Sequence, residues 1–297
     1  MPTCGAWFGA STPSVDGRYD YTEGLAEYEA VAHSTPDILH FYKTGAAVFP
    51  TAAELAMAAR PGRQHSLLFY NWKPSVTMSW RAVANGDADA GIRTVAAGLR
   101  RTTLRMFLAI QHEPEDDARG PGSGYEPADY VAMYRHVVGV LRGQGVTNVV
   151  YVMNYMGFGG WSDVVDAFYP GDDVVDWIAY DPYAHAGADD FIDLLDQGSG
   201  GWPGFYSWAV AKSPGTPLML GEWGFDLASQ PASATALDGA AAMLRTRFPM
   251  LKALVYWNDT TDRYGYRLDQ PSALGVAYGQ AFAGLAADPY FSQTPVP

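Results

Sequence analysis

Eight short runs of apolar, β-branched and aromatic residues recur along the chain: CGAWFGAS from residue 4, ILHFYKT from 38, HSLLFYNW from 65, RMFLAIQHEPE from 105, NVVYVMNYMG from 148, VVDWIAYDPYAH from 174, PLMLGEWGF from 217 and LKALVYWND from 251. Each has the length and composition of a buried strand. Between them lie alanine-rich segments with helical spacing, among them TEGLAEYEAVAH, TAAELAMAAR, DADAGIRTVAAGLRR, PADYVAMYRHVVGVLRGQG and ALDGAAAMLRTRF, and PSALGVAYGQAFAGLA closes the series. After the fifth run, WSDVVDAF is too short for a full helix. Strands alternating with helices predict an α/β protein, a single (β/α)8 TIM barrel spanning residues 1–297, with a mobile surface tail at about 288–297. A doubly wound sheet is the competing architecture, but no G-x-G-x-x-G or G-x-x-x-x-G-K-[ST] follows the first strand. There is no internal repeat, low-complexity tract or linker.

Polar and aromatic residues gather where the strands end: Asn71 and Trp72, His112 and Glu113, Asn154, Asp181 and Tyr183, Glu222 and Trp223, Trp257 and Asn258. That end of a barrel carries its active site. Glu113 and Glu222 each close a nearly apolar strand. Side chains alternate along a strand, so Glu113 is expected to share a side with Phe107, Ala109 and Gln111, and Glu222 with Leu218 and Leu220. Two inward carboxylates are what glycoside hydrolysis uses, one protonated and one ionised. The alternative for each is a solvated or ion-paired loop acid, with Arg105 or Arg81 as partner.

Composition narrows the possibilities. Of 297 residues, 48% are hydrophobic, enough for a large core, and the aromatic content of 14% leaves rings to line a cleft as well as fill it. A net charge of −13 repels phosphate backbones, which argues against nucleic acid and for a neutral substrate. Cys4 is the single cysteine, so neither an intrachain disulfide nor a cysteine zinc cluster is possible. No apolar run is long enough to span a bilayer, and MPTCGAWFGA lacks the basic start and apolar core of a signal peptide. The residues are compatible with a chain whose export signal has been removed or with a piece of a longer protein.

The stretch SWRAVANGDADAGIRTVAAGLRR, followed by LRMFLAIQHEPE, resembles glycoside hydrolase family 26, best known for β-mannanases. YRHVVGVLRGQGVTNVVYVMNY and YPGDDVVDWIAYDPY resemble that family's fifth and sixth barrel segments, and PLMLGEWG its seventh; the similarity runs from about residue 38 to 258. The resemblance implies that Glu113 is the acid/base and Glu222 the nucleophile of a retaining hydrolase. It implies that His112 orients the nucleophile and its neighbours, that Tyr183 hydrogen-bonds Glu222, and that Trp257 forms an aromatic floor under the sugar beside the scissile bond. A bond from Tyr183 would hold Glu222 ionised, and partial burial of Glu113 would favour its protonated form. The chain departs from the family's pattern at HEPEDD, where Met-Asn-Gly is common after the acid, at Ala184 and His185, where Asn is frequent, and at Tyr151, where Trp is common. These departures bear on the substrate more than on the reaction, and the added acids disfavour an anionic polysaccharide.

Trp72 and Trp80 flank KPSVTMS, and stacking of at least one on a sugar competes with packing at the barrel rim. His185 could bind a substrate hydroxyl or sit exposed in its loop, and Asn154 could face the cleft or close a turn. No metal or other cofactor is expected, since no H-E-x-x-H helix is present. The sequence therefore predicts a monomeric retaining glycoside hydrolase, exported or cell-surface with a cytoplasmic site as alternative, acting on a neutral β-linked glycan. β-Mannan leads, with xylan and mixed-linkage glucan close behind. A carbohydrate-binding barrel without turnover and a metal-dependent hydrolase on the same fold are the readings from other classes.

Overall fold

The computed structural model describes residues 1–2, 4–14, 20–60, 67–184, 190–229, 233–259 and 265–291. Among the described residues nine strands run: β1 Trp7–Ser11, β2 Ile38–Thr44, β3 Leu67–Lys73, β4 Met106–Ile110, β5 Val149–Tyr155, β6 Trp177–Tyr180, β7 Tyr183–Ala184, β8 Leu218–Phe225 and β9 Leu251–Trp257. The hydrogen-bonded order is β6-β5-β4-β3-β2-β1-β9-β8-β7. With β7 a two-residue strand, this is the parallel order of a (β/α)8 barrel, and each of the eight predicted runs falls on one of its principal strands, β3 extending one residue past its run to Lys73. The chain divides into two compact units, Met1–His40 with Pro61–His65 and Asp181–Pro297, and Phe41–Arg60 with Ser66–Tyr180.

In the unit of Phe41–Arg60 and Ser66–Tyr180, β3 to β6 pair in parallel, with Asn71 opposite Ala109, Leu108 opposite Tyr151 and Asn154 opposite Ala179. All five residues of β4 are buried, as expected of a strand covered on both faces. Helix Asp89–Leu99 buries Ile92, Val95, Ala96 and Leu99, an i, i+3, i+4, i+7 stripe that carries its packing. Helix Pro127–Gly143 opens with proline in its first turn and a capping box between Glu126 and Asp129. Arg81 pairs with both of those acids at 2.8 Å, so it is already committed away from Glu113. After β5 the chain forms only the short 3₁₀ turns Gly159–Trp161 and Val165–Phe168, where WSDVVDAF gave too few residues for a helix.

In the unit of Met1–His40 and Asp181–Pro297, β1 pairs along its length with β9, Phe8 opposite Leu254 and Ala10 opposite Tyr256, and all eight residues of β8 are buried. Phe8, Trp223, Tyr256 and Phe282 form one aromatic cluster with centroid separations from 4.6 to 6.3 Å. Buried Arg267 donates to Asp269, Glu27 and the Pro13 carbonyl, tying the first helix, Tyr21–Ala32, to the segment before the last, Ala273–Ala286. Tyr290 and Phe291 are buried, and Tyr290 accepts the Ala6 N–H at 3.1 Å, so the start of the expected mobile tail is packed; residues 292–297 lie outside the described residues.

Candidate active site

β4 stops at Ile110, and the chain then turns through two left-handed residues, Gln111 at φ 55° and Glu113 at φ 51°. Alternation therefore ends before Glu113, and the turn, not the expected strand periodicity, sets where its side chain goes. Left-handed conformations are uncommon for such residues and persist where the surroundings fix them. Here the Gln111 N–H donates to the Trp72 carbonyl at 2.8 Å and the Glu113 N–H to the Asn154 carbonyl at 2.9 Å. Pro114 then starts a one-turn helix, Pro114–Asp117.

That turn is fastened at both ends. Gln111 and Lys73 donate to the same oxygen of Asp117, at 2.6 and 2.9 Å. Glu115 is buried, and both its carboxylate oxygens accept from the Met156 N–H, at 3.1 and 3.3 Å. Burial pushes the Glu115 carboxyl up to about 7, against the main-chain hydrogen bonds that favour its ionised form. The acids after Glu113 are thus not all free charge: Glu115 is interior, Asp117 is paired with Lys73, and Asp116 is exposed.

Glu113 and His112 are partly exposed, at 26% and 16% of their side chains, and His112 Nε2 lies 4.0 Å from Glu113 Oε2, beyond hydrogen-bond length. The imidazole sits edge-on to Tyr42 at 5.7 Å. Burial, helped by the Lys73 cation, lowers its pKa to about 3, so His112 is neutral at ordinary pH.

Glu222 on β8 is buried, and the Tyr183 hydroxyl donates to its Oε2 at 2.6 Å. Tyr183 in turn packs its ring against Tyr266, centroids 4.8 Å apart. Tyr266 fits there because Gly224 has no side chain: a Cβ at that position would lie 2.9 Å from its ring. The second glycine of GEWG thus supports, through two tyrosines, the hydrogen bond to Glu222. Fully buried Asp181 places a carboxylate oxygen within 4.8 Å of one from Glu222. Trp257, the last residue of β9, keeps part of its surface exposed, while the Asn258 side chain accepts the Leu268 N–H at 3.0 Å and so braces its own loop.

Both candidate stacking tryptophans are corrected. Trp72 is fully buried, donates its indole N–H to the Gly45 carbonyl at 2.9 Å and packs on Phe49. Trp80 begins helix Trp80–Ala84 and is enclosed by Tyr125, Tyr130 and Phe168. Neither offers a ring face to a sugar. Asn154 is buried and contributes its carbonyl to Glu113. His185 lies outside the described residues. The sequence reading assigned no role to Asp181, Lys73 or Glu115; Asp181 carried a signal in its strand-end position, whereas nothing local marked Glu115 as interior.

The fold, with Glu113 and Asp181 just past β4 and β6 and Glu222 in the C-terminal half of β8, defines a class, (β/α)8 barrels with acids toward the C-terminal ends of their strands. No family model matches the chain. Over 190 residues it is 27% identical to endoglucanase H of Acetivibrio thermocellus, a match covering 60% of this chain and 19% of that protein, so it spans about a fifth of that relative's length. The solved structures similar to it include glycoside hydrolase family 26 β-mannanases. A ruminal endo-β-1,4-mannanase superposes with TM-score 0.68 at 15% identity, covering 99% of this chain and 66% of the other. The β-mannanase of Bacteroides ovatus gives 0.68 at 16% identity over 97% and 90%. The modular endo-β-1,4-mannanase of Cellulomonas fimi gives 0.63 at 20% identity over 96% and 71%. At these identities the likeness establishes the shared barrel.

Proposed function

We propose that the chain is a retaining glycoside hydrolase acting on a neutral, β-linked glycan, with Glu222 as nucleophile and Glu113 as acid/base. The observation that carries this reading is the 2.6 Å hydrogen bond from Tyr183 to a buried carboxylate in the C-terminal half of β8. An ionised carboxylate that must attack a sugar benefits from one strong donor that aligns it while leaving its second oxygen to react. Glu222 would attack the anomeric carbon as Glu113 protonates the departing oxygen, forming a glycosyl ester. Glu113, now ionised, would take a proton from the water that hydrolyses that ester. A retaining mechanism of this kind works with its two carboxyl groups about 5–5.5 Å apart. Trp257 would supply the apolar floor for the sugar ring, and neutral His112 would act as an uncharged neighbour of the acid, positioning rather than exchanging protons.

Substrate preference is the finer part of the proposal. The similar solved structures include several mannanases, which favours β-mannan; the curated relative is an endoglucanase, which keeps β-glucan as the second reading. The net charge of −13 suits a neutral polymer better than an acidic one or nucleic acid. Among the described residues no helix is long and apolar enough to cross a membrane, and an exported monomer acting on extracellular polysaccharide remains the expected setting. The deciding experiment measures reducing ends released from β-mannan, xylan and mixed-linkage glucan, with Glu222→Ala as control. Release from one polymer that disappears in the control supports the class and the nucleophile together. Silence from a folded protein across the panel, with retained binding, favours a carbohydrate-binding barrel.

A further inference from the structure

We propose that Glu115 is a positioning residue for Glu113, its buried carboxylate fastening the turn that presents Glu113 to the main chain leaving β5. The inference rests on the reading of Glu113 as acid/base. Glu113 sits in a left-handed conformation that its own residue type does not favour, so neighbours must hold it. The Asn154 carbonyl holds its N–H. Two residues on, Glu115 reaches across to Met156, the first residue past the end of β5, whose N–H both carboxylate oxygens approach. The turn is thereby attached to β5 on both sides of Pro114.

The chemistry of the position argues against mere packing. Glu115 is 1% exposed beside the phenols of Tyr130 and Tyr155, with Asp116 as its charged neighbour in the turn. An apolar side chain would fill such a place without the cost of desolvating an acid. What only an acceptor can do there is satisfy a main-chain N–H where the strand ladder ends. The raised pKa, about 7, reflects the same burial.

The test compares Glu115→Ala and Glu115→Gln with the wild type on two substrates, the polymer it cleaves and a dinitrophenyl β-glycoside of the same sugar, with Glu113→Ala and Glu222→Ala as references. In Glu115→Ala, kcat/KM on the polymer should fall on the order of 10- to 100-fold, the usual effect of misplacing a reacting group by about 1 Å. On the activated glycoside, whose leaving group needs no proton, kcat/KM should stay within about threefold. Glu115→Gln keeps one oxygen for the Met156 N–H and should recover most of the polymer activity. Hydrogen exchange at the Met156 amide should quicken in Glu115→Ala and not in Glu115→Gln. Unchanged polymer hydrolysis in a folded Glu115→Ala, or equal losses on both substrates without rescue by glutamine, would overturn the proposal. If Glu113→Ala itself fails to separate the two substrates, the acid/base reading falls and the catalytic part of this inference with it, while the exchange rate still decides whether the clamp exists.

Discussion

The Tyr183 hydroxyl and the Glu222 carboxylate share a 2.6 Å hydrogen bond in the C-terminal half of β8. A charge-assisted bond of this kind contributes about 1.5–3 kcal/mol, equivalent to about 10- to 100-fold in rate if it is stronger in the transition state. Tyr183→Phe should therefore lower kcat/KM by that range. Its melting temperature should stay near the wild-type value, because a partly exposed ring retains its packing. A variant as active as the wild type would separate Tyr183 from the chemistry.

Gly224 extends the same chain of support. An alanine there would push its Cβ to 2.9 Å from the Tyr266 ring, which backs Tyr183. Overpacking of this sort costs about 1–3 kcal/mol. Gly224→Ala should lower both the denaturant midpoint and kcat, and a crystal structure of the variant should find Tyr183 displaced from Glu222. A variant with normal activity and an unmoved Tyr183 would show that Tyr266 relaxes elsewhere.

Glu113→Ala should discriminate between leaving groups. Loss of a general acid costs about 10²- to 10⁴-fold where the leaving oxygen needs a proton. Polymer hydrolysis should fall by that range in kcat/KM, while a dinitrophenyl glycoside should be nearly unaffected in the same parameter, which reports bond cleavage alone. Equal losses on both would remove Glu113 from the acid role.

Trp72 and Trp80 should matter for stability and not for substrate. Truncating a buried tryptophan costs about 3–5 kcal/mol. Trp80→Ala removes the ring that Tyr125, Tyr130 and Phe168 enclose, and should shift the urea midpoint strongly while leaving KM unchanged in the folded fraction. A raised KM with an unshifted midpoint would restore Trp80 to the cleft.

His112 gives a signed pH dependence. Its folded pKa of about 3 lies below the ordinary 6.5, so the unfolded chain takes up the proton first as pH falls. The stabilisation from keeping it neutral is complete above pH 6.5 and is lost progressively toward pH 3. The stability difference between wild type and His112→Gln, measured by denaturant titration, should therefore move against the wild type between pH 7 and pH 4. A pH-independent difference would mean that the histidine is solvated and titrates normally.

The strands were legible because covered strands are written as unbroken apolar runs, and the missing helix after β5 because WSDVVDAF is too short for one. The strand ends were legible only as locations. Whether Trp72 meets solvent depends on Gly45 and Phe49, which lie far from it in sequence, and Trp80 depends likewise on Tyr125 and Phe168. Periodicity could not orient Glu113, because two left-handed residues end the strand and glycine, their usual signature, is absent there. HEPEDD reads as solvated charge, and only the tertiary fold reveals that its second acid points inward.

The pairing of Asp117 with Lys73 and the burial of Glu115 also change how this protein would exclude acidic glycans. Beside the proposed acid, the turn carries much less net charge than its three consecutive acids, Glu115, Asp116 and Asp117, suggest. Discrimination against a polyanion would then depend on the −13 spread over the whole surface. A diffuse field of that kind is screened over about 8 Å at physiological ionic strength. Added salt should accordingly admit acidic oligosaccharides to the cleft while leaving the affinity for neutral ones unaltered.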